Sequence, residues 1–275
     1  MKYLICGAGG FIGGHLVNDL MRQGHEVVCA DIKPKEFWFQ IFDKNKNFSL
    51  DLKEYENCLK VTEGVDFIYN MACNMGGMGF IENNKAECML SVLINTNLLR
   101  ACLVHKVKKY FFSSSACVYN GTKQKKTFVP GLKETDAYPA EPEDGYGWEK
   151  LFSERMCRHF TEDFGLPTRV VRYHNVYGPI GTYDGGREKA PAALCRKIAL
   201  SKINNIKVMQ ASAEELNIQQ KVDMIVCMKS FEFIKNKKQI LLKFNTLLKS
   251  KGYLLICEPI AFLHYNSPNN KLMFD

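Results

Sequence analysis

The stretch Lys2-Tyr3-Leu4-Ile5-Cys6-Gly7-Ala8-Gly9-Gly10-Phe11-Ile12-Gly13 decides the reading of the fold. An apolar run enters a turn in which Gly7, Gly10 and Gly13 recur every third residue, and helical spacing follows from about residue 11 to residue 23. A second apolar run, residues 26 to 30, ends on Asp31. Strand, glycine turn, helix and strand make a βαβ unit. Glycine at those places permits the tight turn, lets a pyrophosphate approach backbone N–H groups, and allows the helix to lie close to the sheet. Phe11 and Ile12 open the helix whose dipole would face the phosphates. Asp31, 18 residues beyond Gly13, stands where a carboxylate can accept both hydroxyls of a ribose and repel a 2′-phosphate, which favours NAD over NADP. Lys33 pulls the other way, because a cation accommodates phosphate.

Outward from this unit, apolar runs at residues 66 to 71, 110 to 113 and 168 to 172 read as buried parallel strands. Helical stretches at residues 85 to 105 and 146 to 164 separate them. The alternation predicts an α/β fold, a doubly wound parallel sheet of the NAD(P)-binding Rossmann type. Loops rich in Gly, Pro or polar residues cover 75 to 79, 120 to 144 and 177 to 186, and functional groups should gather where they leave the carboxyl ends of the strands. Asp51 and Leu52 close the third-strand region. There Asp51 reads equally as a contact to the adenine edge or as an exposed cap carboxylate. Ala72 completes the candidate cofactor set.

With 275 residues, 46% hydrophobic and 24% charged, the chain holds enough apolar material for one large domain or two small ones, so disordered, collagen and coiled-coil classes are excluded. No apolar run approaches the ~20 residues that span a bilayer, and the amino terminus enters its first strand at once, without room for a signal peptide. The expectation is a cytoplasmic protein with no membrane partner. Eleven cysteines, scattered singly with no Cys-x-x-Cys pair, read as reduced core residues, and no metal site is expected. Of the net charge of +8, residues 201 to 275 carry +5. Lys235, Lys237 and Lys238 fall at helical spacings, which points to solvated surface and away from a nucleic-acid partner.

Tyr146-Gly147-Trp148-Glu149-Lys150 sets a phenol and an ammonium at i and i+4 on one helix face, where the lysine charge can lower the tyrosine pKa. Ser113-Ser114-Ser115-Ala116-Cys117-Val118-Tyr119 follows a strand, so its hydroxyls should emerge beside a bound nicotinamide. With the glycine turn, this chain resembles the extended short-chain dehydrogenases/reductases, NAD-dependent epimerases and dehydratases of nucleotide sugars. Within them, Asn74-Met75-Gly76-Gly77-Met78-Gly79-Phe80-Ile81, the segment Ser114 to Tyr119, Tyr173-His174-Asn175-Val176-Tyr177-Gly178-Pro179 and Gly185-Gly186-Arg187-Glu188-Lys189-Ala190-Pro191-Ala192-Ala193 are similar to the GDP-mannose 3,5-epimerase family. The similarity covers residues 1 to 200.

That resemblance implies a chemistry position by position. Tyr146, helped by Lys150 and Ser115, would take the proton of a sugar 4-hydroxyl while NAD+ accepts hydride from carbon 4. The resulting ketone would acidify carbons 3 and 5, and Cys117 and Lys189 match the family's acid/base pair that inverts them. Tyr146 and Lys150 would also contact the cofactor. Gly76, Gly77 and Met78 would line the sugar pocket, Asn175 would touch substrate, and Arg187 and Lys197 would offer charge to the diphosphate of a GDP-mannose-class nucleotide sugar. Without the flanking matches, Cys117 reads as a packed core thiol and Lys189 and Lys197 as surface cations. Relatives are commonly homodimers through the helices at 85 to 105 and 146 to 164.

Beyond residue 200 the texture changes, which predicts a domain over 1 to 200 and a partial α/β segment over 201 to 275. Residues 206 to 209, 222 to 227 and 253 to 257 read as strands, with a helix from 237 to 248 stopped by Gly252. In order and spacing they resemble the latter half of a class I S-adenosylmethionine-dependent methyltransferase, with Ala213 and Glu214 where such enzymes contact adenine. The family's early glycine loop and acidic residue have no counterpart in the segment. Three functions stay open on the sequence: a nucleotide-sugar epimerase, a methyltransferase, and a non-catalytic NAD-binding protein.

Overall fold

The computed structural model describes residues 1–125, 131–203, 220–228, 236–257 and 262–266. They fall into two units, one drawn from residues 1–124 and 132–204, the other from 125–131 and 205–275. In the first, six strands, β1 (Lys2–Cys6), β2 (Glu26–Asp31), β3 (Lys46–Ser49), β4 (Phe67–Asn70), β5 (Lys109–Ser115) and β6 (Thr168–Tyr173), pair in parallel in the order β3-β2-β1-β4-β5-β6. Chain order reverses between β1 and β4. A crevice for a ligand therefore opens at their carboxyl ends.

Helix α1 (Phe11–Arg22) joins β1 to β2, and α2 (Tyr55–Thr62) joins β3 to β4. Because successive strand residues point to opposite faces, Leu4 and Cys6 enter one core and Ile5 the other. The first core gathers Cys58 and Val61 of α2 with Leu98, Leu99 and Cys102 of a helix described below, while Val17 and Leu20 of α1 fill the second with Trp38. Each fully buried aliphatic side chain contributes about 1.5–3 kcal/mol relative to exposure.

Several sequence expectations are refined. Residues 78 and 79, expected in a loop, open α3 (Met78–Asn83). The stretch expected as one helix over 85 to 105 is α4 (Lys85–Met89) followed, after Leu90, by α5 (Ser91–Val104). Together Lys85–Val104 have the length and apolarity to cross a membrane, but Leu98, Leu99, Ala101 and Cys102 are completely buried in the first core. The expected catalytic helix is α6 (Tyr146–Phe164), ended by Gly165 at a left-handed φ of 70°. A further helix, α7 (Ala190–Ile203), follows β6.

The second unit contains β7 (Val222–Met228), α8 (Lys237–Leu247), β8 (Leu248–Cys257) and β9 (Phe262–Asn266). β7 and β8 are parallel and β8 and β9 antiparallel. Ile240 and Phe244 of α8 pack on Leu248 and Leu254, and the Asn236 side chain accepts the Gln239 N–H at 3.2 Å to cap the helix. Gly252 does not stop this helix. The chain passes from α8 straight into β8, and Lys251 takes the left-handed φ of 66°. Gly252 instead serves a close approach, since a Cβ there would lie 3.0 Å from the Lys249 carbonyl oxygen and 3.1 Å from that of Asp223, beside an irregularity in the β7–β8 register. The expected strand at 206 to 209, and Ala213 and Glu214, lie outside the described residues.

Beneath the crevice, Asn70 Nδ2 donates to the Tyr110 hydroxyl at 2.8 Å, and that hydroxyl donates to Asn95 Oδ1 at 2.8 Å, all three being buried. Tyr110→Phe strips this bridge without opening a cavity. Urea unfolding monitored on the first unit should show a loss of about 1–3 kcal/mol, the cost of leaving buried amide groups unpaired.

Candidate active site

A cleft of about 1260 Å³ opens at the carboxyl ends of the strands. Its nucleotide end is built by the glycine turn. Gly7 adopts φ 81°, and its N–H donates to Ala30 O at 2.7 Å. A Cβ on Gly13 would lie 2.1 Å from the Gly7 carbonyl oxygen, so only glycine lets α1 begin against β1. Gly7, Gly10, Phe11, Ile12 and Gly13 all line the cleft. Asp31 ends β2 almost fully buried, its carboxylate accepting the N–H groups of Gly9 and Lys33 at 3.0 Å each. Lys33 Nζ sits over the Phe39 ring at 4.6 Å. Asp51 lines the cleft with Leu52 and Ala72, and its Oδ1 accepts the Lys53 N–H at 2.9 Å in the turn ahead of α2, whose cap is Glu54. The close backbone, the first helix turn and the Asp31 carboxylate suit a dinucleotide.

The other end is built on α6 and β5. Arg172 of β6 grips Glu154 of α6 through two bonds of 2.9 and 2.7 Å, and Ser114 of β5 donates to the same carboxylate. This fastens α6 across the sheet edge, and its buried face carries Tyr146, Glu149, Lys150, Ser153 and Cys157. At the start of the helix, Glu143 Oε2 accepts the Gly147 N–H at 2.8 Å. Tyr146 and Ser115 both line the cleft. Ser115 Oγ also accepts the Cys117 N–H at 3.2 Å, where β5 passes into a 3-10 turn. Cys117 packs with Cys73, Cys88 and Tyr146 in one small cluster and, like Lys150, stands behind the cleft wall, whereas Lys189 lies on it.

Burial sets the electrostatics here. It pushes Tyr146 well above the ordinary phenol range, with Cys73, Cys117 and Glu149 adding to the rise and the nearby Ser115 hydroxyl opposing it. The expected depression by Lys150 is therefore reversed: desolvation outweighs an ammonium 5.5 Å from the ring. Burial likewise raises Cys117, partly offset by its Ser115 bond and by Lys189 and Lys150. Lys150 is itself almost fully buried, over the Phe112 ring at 4.7 Å. Burial alone would lower it, but Cys73 and Glu149 beside it hold it above the usual range.

Among the expected substrate contacts, Gly76 and Arg187 line the cleft. Arg187 donates to Asn74 Oδ1 at 2.8 Å and covers the Phe80 ring at 3.9 Å, which ties the segment at 185 to 193 to the loop after β4. Gly77, Met78 and Asn175 are not on the cleft wall; Met78 is exposed at the start of α3, and His174 and Val176 flank Asn175 there instead. Lys197 is exposed and off the wall, and its neighbour Arg196 takes that position, paired with Asp184 at 3.0 Å. The turn of α7 decides which of two adjacent cations faces inward, and that has no local signal. Cys73, just beyond β4, also lines the cleft, and Glu149 shares the buried face of α6, its only signal in the sequence being an acidic residue between Tyr146 and Lys150.

The model of the NAD dependent epimerase/dehydratase family matches residues 3–226. The chain belongs to this family. A methyltransferase domain model matches residues 192–272. The chain is 48% identical over 202 residues to GDP-mannose 3,5-epimerase of Arabidopsis thaliana, covering 73% of this chain and 54% of the relative. It thus spans about half the length of the curated relatives it matches. UDP-glucose 4-epimerase from Thermotoga maritima shares the fold, with a TM-score of 0.64 at 23% identity over 72% of this chain and 62% of that one. UDP-glucuronic acid 4-epimerase from Bacillus cereus, solved with NAD, gives 0.60 at 27% identity, covering 73% and 63%. The cofactor of the family is NAD, and the cleft residues fit it.

NAD+ should therefore raise the Tm of the purified chain. Asp31→Asn should weaken NAD+ roughly tenfold and narrow its advantage over NADP+, as read by calorimetric titration of both cofactors.

Proposed function

We propose that this chain is a nucleotide-sugar epimerase of the GDP-mannose 3,5-epimerase kind. The observation that carries this reading is the convergence of Tyr146, Ser115 and Cys117 at the end of β5, beside a dinucleotide cleft with Lys189 on its wall. In this reading Gly7, Gly10, Phe11, Ile12, Gly13, Asp31, Asp51, Leu52 and Ala72 hold NAD. When bound, NAD supplies an acceptor for the hydride of carbon 4 and returns it later. Ser115 steadies the 4-hydroxyl, and Tyr146 takes its proton with the charge of Lys150 behind it. A 4-ketone then acidifies the hydrogens on carbons 3 and 5. At each of these carbons one member of the pair Cys117 and Lys189 removes the acidified proton and the other delivers one to the opposite face, burial keeping the Cys117 thiol protonated at the start. Tyr146 finally returns its proton to the oxygen on carbon 4, and the net change is inversion at carbons 3 and 5.

Arg187 and Arg196 offer charge to the diphosphate. Gly76 borders the sugar, and Gly77, Met78, Asn175 and Lys197 enter this reading only as neighbours of the wall. A soluble nucleotide sugar as substrate fits a cytoplasmic protein with neither membrane nor nucleic acid as partner. The match of residues 192–272 to a methyltransferase domain favours methyl transfer as a second reading. The described part of that region after residue 205 is the β7–α8–β8 crossover with β9, and S-adenosylmethionine should leave Tm unmoved where NAD+ raises it.

Incubation with NAD+ and GDP-mannose in heavy water should place deuterium on carbons 3 and 5. Tyr146→Phe should abolish the labelling, and Cys117→Ala and Lys189→Ala should each slow it by about 100-fold or more. Labelling unchanged in both of the last two would overturn their roles.

We also propose a homodimer. Exposed Met89, Leu90 and Leu93 lie on and between α4 and α5, and exposed Trp148 and Phe152 on α6, which packs beside them. The native chain should sediment as a dimer, and Leu93→Glu with Phe152→Glu as a monomer that keeps its NAD+-dependent rise in Tm.

A further inference from the structure

Glu149 and Lys150 are adjacent in sequence, yet both turn inward on α6, and each is almost fully buried. Lys150 Nζ stands 3.6 Å from Glu149 Oε2, and neither atom has a hydrogen-bond partner among the described residues. The other carboxylate oxygen of Glu149 accepts the Ser153 hydroxyl at 2.9 Å, which fixes the side chain on the inner face of the helix. A buried ammonium needs a countercharge to remain charged. Of the titratable groups around Lys150, Tyr146 and Cys157 share its helix, Cys73 follows β4, and Cys117 follows β5. Each of those four is neutral in its protonated form. Ionised Cys73 would bear on Lys150 more strongly than Glu149, but burial raises its thiol, and Glu149 alone among them is a carboxylic acid.

We infer that Glu149 is a positioning residue that sets the pH window of the Tyr146–Lys150 pair, through its unscreened charge on both. This rests on the assignment of those two residues as the proton-handling groups. A base that must take a proton from the 4-hydroxyl and return it in each turnover gains from a window whose alkaline limit lies high. The Glu149 carboxylate provides it by favouring the protonated form of every group it faces. It keeps Lys150 an ammonium, and it keeps the Tyr146 phenolate basic enough to take the proton of the 4-hydroxyl. Removing a negative charge from such a cluster lowers the pKa of each remaining member, so Glu149→Gln should move both limbs of the pH–rate profile in the same, acidic direction. A residue that served packing alone would change the height of the profile and leave its limbs in place.

The test reads Lys150 directly and does not depend on turnover. In protein carrying 13C-labelled lysines, with the Lys150 resonance assigned through Lys150→Arg, the native side chain should stay charged beyond about pH 10. In Glu149→Gln it should lose its proton about one to three pH units lower. Glu149→Asp, which keeps the charge, should restore most of the difference. In the deuterium-labelling reaction both limbs for Glu149→Gln should shift by a similar amount. Unchanged titration of Lys150 in a folded Glu149→Gln overturns the inference, and so do limbs that move in opposite directions. Should that variant not fold, a native Lys150 that deprotonates below about pH 9 overturns it as well. If Lys150 shifts as expected but no form of the protein labels GDP-mannose, the proposed activity fails and the charge coupling stands.

Discussion

A single missing methyl group governs the nucleotide half of the molecule. At Gly13 the first helix meets the end of β1 so closely that a Cβ would press into the Gly7 carbonyl oxygen at 2.1 Å. With that contact open, α1 points its amino end into the crevice where strand order reverses, and Asp31 at the end of the adjacent strand faces the same space. Any side chain at Gly13 would push the helix away and separate the helix dipole from the carboxylate. The two recognition elements for a dinucleotide thus share one steric condition.

The reactive half depends on a different constraint. Tyr146, Glu149 and Lys150 are carried on a helix whose buried face must match the sheet edge, and the Arg172–Glu154 pair with Ser114 fixes that match. The fit withdraws a phenol, a carboxylate and an ammonium from water within two turns of helix. Desolvation then becomes the largest influence on each shifted group there, stronger than the lysine–tyrosine attraction that spacing suggests. Local charge balance decides what the site can do with a proton. The second unit follows simpler rules: α8 buries one apolar stripe on a parallel strand pair, and Gly252 answers a backbone contact.

The periodic features were legible without any structure, because they are local. Glycines every third residue after an apolar run, a carboxylate at the end of the next run, and Tyr146 and Lys150 one helical turn apart each express a short-range geometric rule, and the parallel sheet, though not its strand order, follows from alternating strand and helix patterns. What only the tertiary structure decided is how those pieces shield one another from water. It set Arg196 and not Lys197 on the cleft wall, left Met78 outside, broke the helix at Leu90 and assigned Gly252 to a close approach in place of a cap. It also turned Glu149 inward beside Lys150 and raised Tyr146 where spacing had suggested the reverse. The physical reason is common to all of these: a side chain's direction can be read from its own helix or strand, whereas its burial, and with it the strength of every charge it meets, depends on elements distant in the chain.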